Sequence, residues 1–137
     1  MSGNGFAANN PLNLRYIAPP DNFNGQTGQT AQGIGVYDSL QNGLRAAYLQ
    51  LTEYYESGLT TITEIVTKWA PPSENPTAQY IANVSGWTGL DANATLSWPG
   101  DAADLILAMA QEENGTNGGL TTTSIDNYLQ NAGVYDT

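Results

Sequence analysis

From Asp38 onward, apolar residues recur at spacings of three and four, the period of a helix with one buried face. Leu40, Leu44, Ala47, Tyr48, Leu51 and Tyr55 form the first stripe, with Asp38 or Ser39 able to cap it and Gly58 able to end it in a left-handed conformation. Thr61-Ile62-Thr63-Glu64 reads as a capping box that opens a second helix, with Ile62, Ile65, Val66 and Trp69 on one face and Pro71-Pro72 as the stop. Asn75-Pro76 predicts a cap followed by a first-turn proline, then a third helix carrying Tyr80, Ile81 and Val84 inward and ending near Gly86. A loop with Trp87, Leu90, Leu96 and Trp98 leads to Asp101, which caps a fourth helix presenting Leu105, Ile106 and Met109 up to Gly115. Gly118-Gly119 makes a joint, and Thr123 or Ser124 caps a fifth helix with Ile125, Tyr128 and Leu129, ended by Gly133.

Residues 1–35 carry no such period. Gly3, Gly5, Gly25, Gly28, Gly33 and Gly35 alternate with Asn, Gln and Pro, which predicts an extended arm with turns and a short strand or hairpin near Ile34 to Tyr37. The pattern as a whole predicts an all-α chain: a compact bundle of about five helices behind a long irregular Gly/Asn/Pro-rich N-terminal arm. The division falls between an arm at 1–35 and a helical domain at 36–137. An arm of that length and composition is functional or mobile in a monomer, and neighbouring chains would order it.

Composition narrows the function. At 137 residues and 40% hydrophobic content the chain can bury one modest core without staples. It has no cysteine and no histidine, so disulfides, thiolate catalysis, Ser-His-Asp triads and His- or Cys-ligated metals are excluded. Asp91-Ala92-Asn93-Ala94-Thr95 lacks the central Gly and terminal Glu of a calcium loop. No metal and no cofactor is expected. Three Lys and Arg against thirteen Asp and Glu give a net charge of −10, which disfavours nucleic acid and anionic membrane surfaces as partners. Only 12% of residues are charged. The surface is therefore polar mainly through Asn, Gln, Thr and Ser, and it suits packing against other protein chains or contact with sugars. Met1 to Asn10 has no basic region and no long apolar run, so synthesis in the host cytoplasm is expected.

Carboxylates and tyrosines are what remains for acid-base work, and glycoside cleavage runs on carboxylates alone. Glu113, at the end of the fourth helix, is the candidate acid, because the negative helix end and a partly apolar groove would both raise its pKa. The plainer reading of Glu112 and Glu113 is a solvated last turn. Glu74 is the second catalytic candidate, although at the start of the third helix it suits helix stabilisation better. Asn9, Asn10, Asn13 and Asn75 offer amides, Arg15 a planar fork for a carboxylate, and Trp69 a face for a sugar ring. Turn-making by the asparagines and core packing by Trp69 are the alternatives.

Several short segments stand in a fixed order: Asn9-Asn10-Pro11, Asn13, Arg15, Tyr37-Asp38, Gly43-Leu44-Arg45-Ala46, Trp69-Ala70-Pro71-Pro72, Glu74-Asn75, Thr77, Tyr80 and Glu113-Asn114-Gly115. Over about residues 9–134 this order resembles a family of small virion structural proteins of tailed bacteriophages and prophages. Leu12 stands where members usually have Gly, and Phe23-Asn24-Gly25 where many have Trp-x-Gly. The resemblance implies a minor structural component of the phage particle, in the tail or at an opening of the capsid, in a symmetric assembly with other virion proteins. It also implies a lysozyme-like helical domain, and hence peptidoglycan cleavage during entry or non-catalytic binding of wall glycan.

Overall fold

The structure, a computed structural model, describes residues 5–134; the first four residues of the predicted arm and the last three of the predicted helical domain lie outside that range. Five helices follow a two-stranded hairpin: β1 Gln26–Gln29, β2 Gly35–Tyr37, α1 Leu40–Glu56, α2 Ile62–Trp69, α3 Thr77–Thr88, α4 Ala102–Asn114 and α5 Thr122–Asn131. The chain is all-α with a small antiparallel sheet. The strands pair Gln26 with Tyr37, Gly28 with Val36 and Gln29 with Gly35, with an irregularity between Gln26 and Gly28. On the far side of β2, the Gly35 amide donates to the Leu14 carbonyl at 3.0 Å, and Arg15 bridges Ile34.

The apolar stripes read from the sequence converge on one core. α4 packs against α3 and α5, α1 against α5, and α2 against α3. Leu44, Leu51, Ile62, Ile65, Val66, Val84, Leu105, Ile106, Met109, Ile125 and Leu129 are completely buried. Leu12 joins them from the irregular front, and Leu14 packs with Tyr37 and Ala46 in a smaller cluster. Trp98 stacks between Tyr48 and Tyr55 at centroid distances of 6.0 and 5.6 Å, and its Nε1 donates to Thr52 Oγ1 at 2.9 Å.

The helix ends refine the sequence reading. Ser39 caps α1, its Oγ accepting from the Asn42 amide at 3.1 Å. Thr61 caps α2, but Glu64 turns back to the Thr60 amide rather than completing a box on the cap residue. α3 does not stop near Gly86; it runs on through Trp87 to Thr88, and Gly89 ends it at φ 75°. A glycine breaks a helix only where the backbone turns left-handed, and Gly86 does not. Asn75 and Asp101 do not make the expected capping bonds. Asn75 Nδ2 donates to the Pro71 carbonyl at 3.2 Å, and Asp101 Oδ2 accepts from the Ser97 amide at 2.7 Å. α5 starts earlier than predicted, with Thr121 and Ser124 forming a reciprocal capping box.

Gly43 lies inside α1, where glycine would ordinarily cost stability. A methyl group at its Cα would overlap the Asn9 carbonyl oxygen, so this glycine is what lets the front segment lie flat on the helix. Gly86 is also helical but has nothing within 4 Å of the same position. The two glycines therefore predict opposite signs. Gly43→Ala should destabilise the protein by about 1–3 kcal/mol through overpacking, whereas Gly86→Ala should stabilise it by about 0.5–1 kcal/mol. Chemical denaturation of both variants beside the parent checks this, and a stabilised Gly43→Ala protein would mean that the front segment does not dock on α1.

Candidate functional site

Residues 5–14 form a tight loop that asparagine side chains hold in shape. Asn9 and Asn13 adopt left-handed backbone at φ 55° and 53°, a region asparagine tolerates better than most residues. Asn10 is completely buried, and its amide acts as a surrogate peptide. Oδ1 accepts from the Leu14 amide at 2.9 Å, while Nδ2 donates to the carbonyls of Leu14 and Gly35, each at 2.8 Å. Asn9 Nδ2 donates to the Tyr37 carbonyl at 3.0 Å.

The loop is fixed to the C-terminal end of α4. Asn114 Oδ1 accepts from the Gly5 amide at 3.1 Å, and its Nδ2 donates to the Pro11 carbonyl at 2.7 Å and to the Ala110 carbonyl at 2.8 Å. Asn13 Nδ2 donates to the Glu113 carbonyl at 3.3 Å and to Glu113 Oε1 at 3.1 Å. Gly115, at φ 72°, turns the chain away directly afterwards. The Asn-Asn-Pro and Glu-Asn-Gly segments, a hundred residues apart, are two halves of one junction. Trp69 to Asn75 forms the turn between α2 and α3. Thr77 Oγ1 donates to the Ala70 carbonyl, and the Glu74 amide donates to the Pro71 carbonyl at 3.0 Å.

These segments enclose an open groove of about 570 Å³. Asn13, Arg15, Trp69, Glu74, Asn75 and Glu113 line it, so six of the residues singled out from sequence meet in one place. Asn9 and Asn10 do not line it; they bind backbone behind its wall. Gln50 and Tyr54, one turn apart on α1, also line it, and Tyr54 meets the Trp69 ring edge-on at 6.1 Å. Trp87 and Trp98 stand outside the groove, Trp87 about half exposed at the end of α3 and Trp98 in its tyrosine stack.

Glu113 is buried in the groove wall, not solvated in a last turn. Tyr80, equally buried, donates its hydroxyl to Glu113 Oε2 at 3.0 Å. Desolvation raises the Glu113 pKa above its ordinary 4.5 and dominates; the hydrogen bonds from Asn13 and Tyr80 oppose it, and the neighbouring Glu112 charge adds to it. The Tyr80 hydroxyl is pushed well above 10, first by burial and then by the Glu113 charge, so it stays a proton donor. The arrangement favours the protonated form of a carboxyl beside an aromatic- and amide-lined cleft. Glu74, exposed, is the second carboxylate lining that cleft. Sequence reasoning placed Tyr80 on a core face and missed its hydroxyl; Gln50 and Tyr54 were detectable only as an i, i+4 pair on the first helix.

The Glu113 proton is held more tightly in the folded chain than in the unfolded one. Its contribution to stability is therefore full below pH 4.5 and is lost as pH rises through the raised folded value. Asp104, also raised, mainly by burial, is common to parent and variant and cancels in their difference. The melting temperature of the parent minus that of Glu113→Gln should fall as pH increases across this window. A difference that is flat, or that rises with pH, would contradict the assignment.

The chain matches no known family model. It is similar to Protein P5 of Pseudoalteromonas phage PM2, at 39% identity over 77 residues, which cover 56% of this chain and 48% of that protein. The chain thus spans about half the length of the curated relative it matches. The relatedness is to a bacteriophage protein.

Proposed function

We propose that this chain is a structural component of a bacteriophage particle, held among other virion proteins after synthesis in the host cytoplasm. The observation that carries the reading is the 77-residue similarity to a phage protein. The low share of charged side chains agrees with it, because amide- and hydroxyl-rich surfaces can be covered by neighbouring chains without stranding many ions. The finer position, in the tail or at an opening of the capsid within a symmetric assembly, follows from the motif resemblance. No helix among the described residues is long and apolar enough to cross a membrane. Particles made by the genome that encodes this chain should retain it through gradient centrifugation and a salt wash, detected by mass spectrometry. Recovery only in the soluble fraction would overturn the reading.

The buried acid in the groove favours a second reading, in which the same particle-borne chain cleaves wall glycan. Glu113, whose acid form burial favours, would give its proton to the leaving glycosidic oxygen. Glu74 would serve as the second carboxylate, and Trp69, Asn75, Asn13 and Arg15 would hold the sugar chain. Activity should then fall as pH rises through the Glu113 pKa, and Glu113→Gln should reduce peptidoglycan digestion by about 10²–10⁴-fold. Digestion that is equally fast with Gln at this position would remove Glu113 from the chemistry and leave wall-glycan binding without catalysis.

A further inference from the structure

Asparagine followed by glycine is prone to modify itself. The backbone nitrogen of a glycine, unhindered by a side chain, can attack the side-chain carbonyl of the asparagine before it. The chain holds five such pairs: Asn4-Gly5, Asn24-Gly25, Asn42-Gly43, Asn114-Gly115 and Asn117-Gly118. Ring closure needs a free side-chain amide, a free glycine N–H and a backbone able to rotate, and four of the pairs fail this requirement. The Gly5 amide donates to Asn114 Oδ1 at 3.1 Å. Inside α1 the Gly43 amide donates to the Ser39 carbonyl at 3.1 Å, and Asn42 Nδ2 donates to Asp38 Oδ1 at 2.9 Å. The Gly115 amide donates to the Gln111 carbonyl at 2.8 Å, and Asn114 is bonded through both atoms of its amide. The Gly118 amide donates to Thr116 Oγ1 at 3.1 Å, Asn117 Oδ1 accepts from the Gly119 amide at 2.9 Å, and the Phe6 ring lies against Gly118.

Asn24-Gly25 differs from these. It forms the centre of the turn that enters β1, closed by a bond of 3.4 Å from the Gln26 amide to the Phe23 carbonyl, beyond the usual range. Asn24 is exposed, and Gly25 stands at φ 87°. Among the described residues no hydrogen bond reaches the Asn24 side chain or the Gly25 amide. Gly25 is held through its carbonyl, which accepts from the Asp38 amide at 2.8 Å. We propose that Asn24 is where the folded protein spontaneously deamidates, and that the conversion loosens the hairpin from the start of α1. The Gly25 nitrogen gives its proton to solvent and bonds to Asn24 Cγ, the Cγ–Nδ2 bond breaks, and Nδ2 leaves as ammonia after taking a proton from water. Water then opens the succinimide at either carbonyl, which yields aspartate or isoaspartate without any redox change. Isoaspartate lengthens the main chain by a methylene and pushes Gly25 toward Asp38 and Asn42. There is no room there, since a methyl group on Gly25 would already overlap both side chains. The same hairpin brings Thr30, Gln32 and Ile34 to the groove, so the modification acts on the groove wall.

The test incubates the full chain at neutral and mildly alkaline pH, folded in buffer and unfolded in urea. Peptide mapping by mass spectrometry then separates asparagine, aspartate and isoaspartate at each pair. Unfolded, the five pairs should convert at comparable rates. Folded, Asn24 should stay within about threefold of its unfolded rate. Asn42 and Asn114 should slow by about tenfold or more, because each must first open locally at a cost of at least about 1.4 kcal/mol. The Asn24 rate should rise with pH and give both products, and Asn24→Gln should slow conversion at that position by about tenfold or more. In the isoaspartate form, separated by anion exchange, hydrogen exchange at the Asp38 amide should quicken by about tenfold or more. Protection of Asn24 equal to that of Asn42, faster conversion at Asn117, or aspartate without isoaspartate would each overturn the assignment of Asn24. Unchanged exchange at Asp38 in the converted chain would overturn the loosening of the hairpin.

Discussion

The structure depends on asparagine side chains standing in for peptide groups where the front loop meets the end of α4. A buried irregular segment must find partners for every backbone N–H and C=O, because each one left unpaired costs on the order of 1–3 kcal/mol. Asn10 satisfies three backbone groups at a site with no solvent, and Asn114 reaches the Gly5 amide and the Pro11 carbonyl across more than a hundred positions of sequence. Close packing makes the junction strict. A methyl group on Gly5 would collide with the Asn10 carbonyl and with Asn13 Oδ1, and one on Gly43 would collide with the Asn9 carbonyl. Leu12 can therefore enter the helical core from a segment with no periodicity of its own.

This explains what could and could not be read from the sequence. Each helix buries a single stripe, so spacings of three and four identified Leu44, Leu51, Ile65, Ile106 and Leu129 as core without knowledge of their partners. Helix ends were less legible because a glycine or an Asx residue states a possibility, not a geometry. Gly86 and Gly89 are alike in sequence, and only the second turns left-handed. The front loop was the least legible part. Its order comes from long-range amide bonds, and no local rule announces that Asn10 belongs with Gly35 or Asn114 with Pro11. The lining of the candidate groove was more readable than its scaffold: the residue types fit for acid, anion or ring contact are few in a chain without histidine or cysteine.

Glu113 shows how structural and chemical roles can share one side chain. Its carboxyl accepts from Asn13 and Tyr80, and those bonds hold the front loop and α3 against α4. By themselves they would lower its pKa, yet burial outweighs them and the net direction is upward. Loss of Tyr80 or Asn13 would thus loosen the fold and at the same time strengthen the raised pKa, since both act by favouring the charged form. The acid strength and the packing of the junction are coupled through the same two hydrogen bonds.

The two proposed roles, in the particle and in the groove, can use different surfaces. The groove uses the N-terminal end of α3, where Asn75 precedes the helix, whereas Trp87 lies one residue from its C-terminal end. Ten residues of helix separate Thr77 from Trp87, a rise of about 15 Å. Trp87 is the large apolar side chain left exposed among the described residues, and it stands away from the groove lining. A neighbouring chain can cover that end of α3 while the cleft between the front loop and the α2–α3 turn stays open to a ligand. The junction at α4 is what allows this division, because it builds the cleft from segments of one chain.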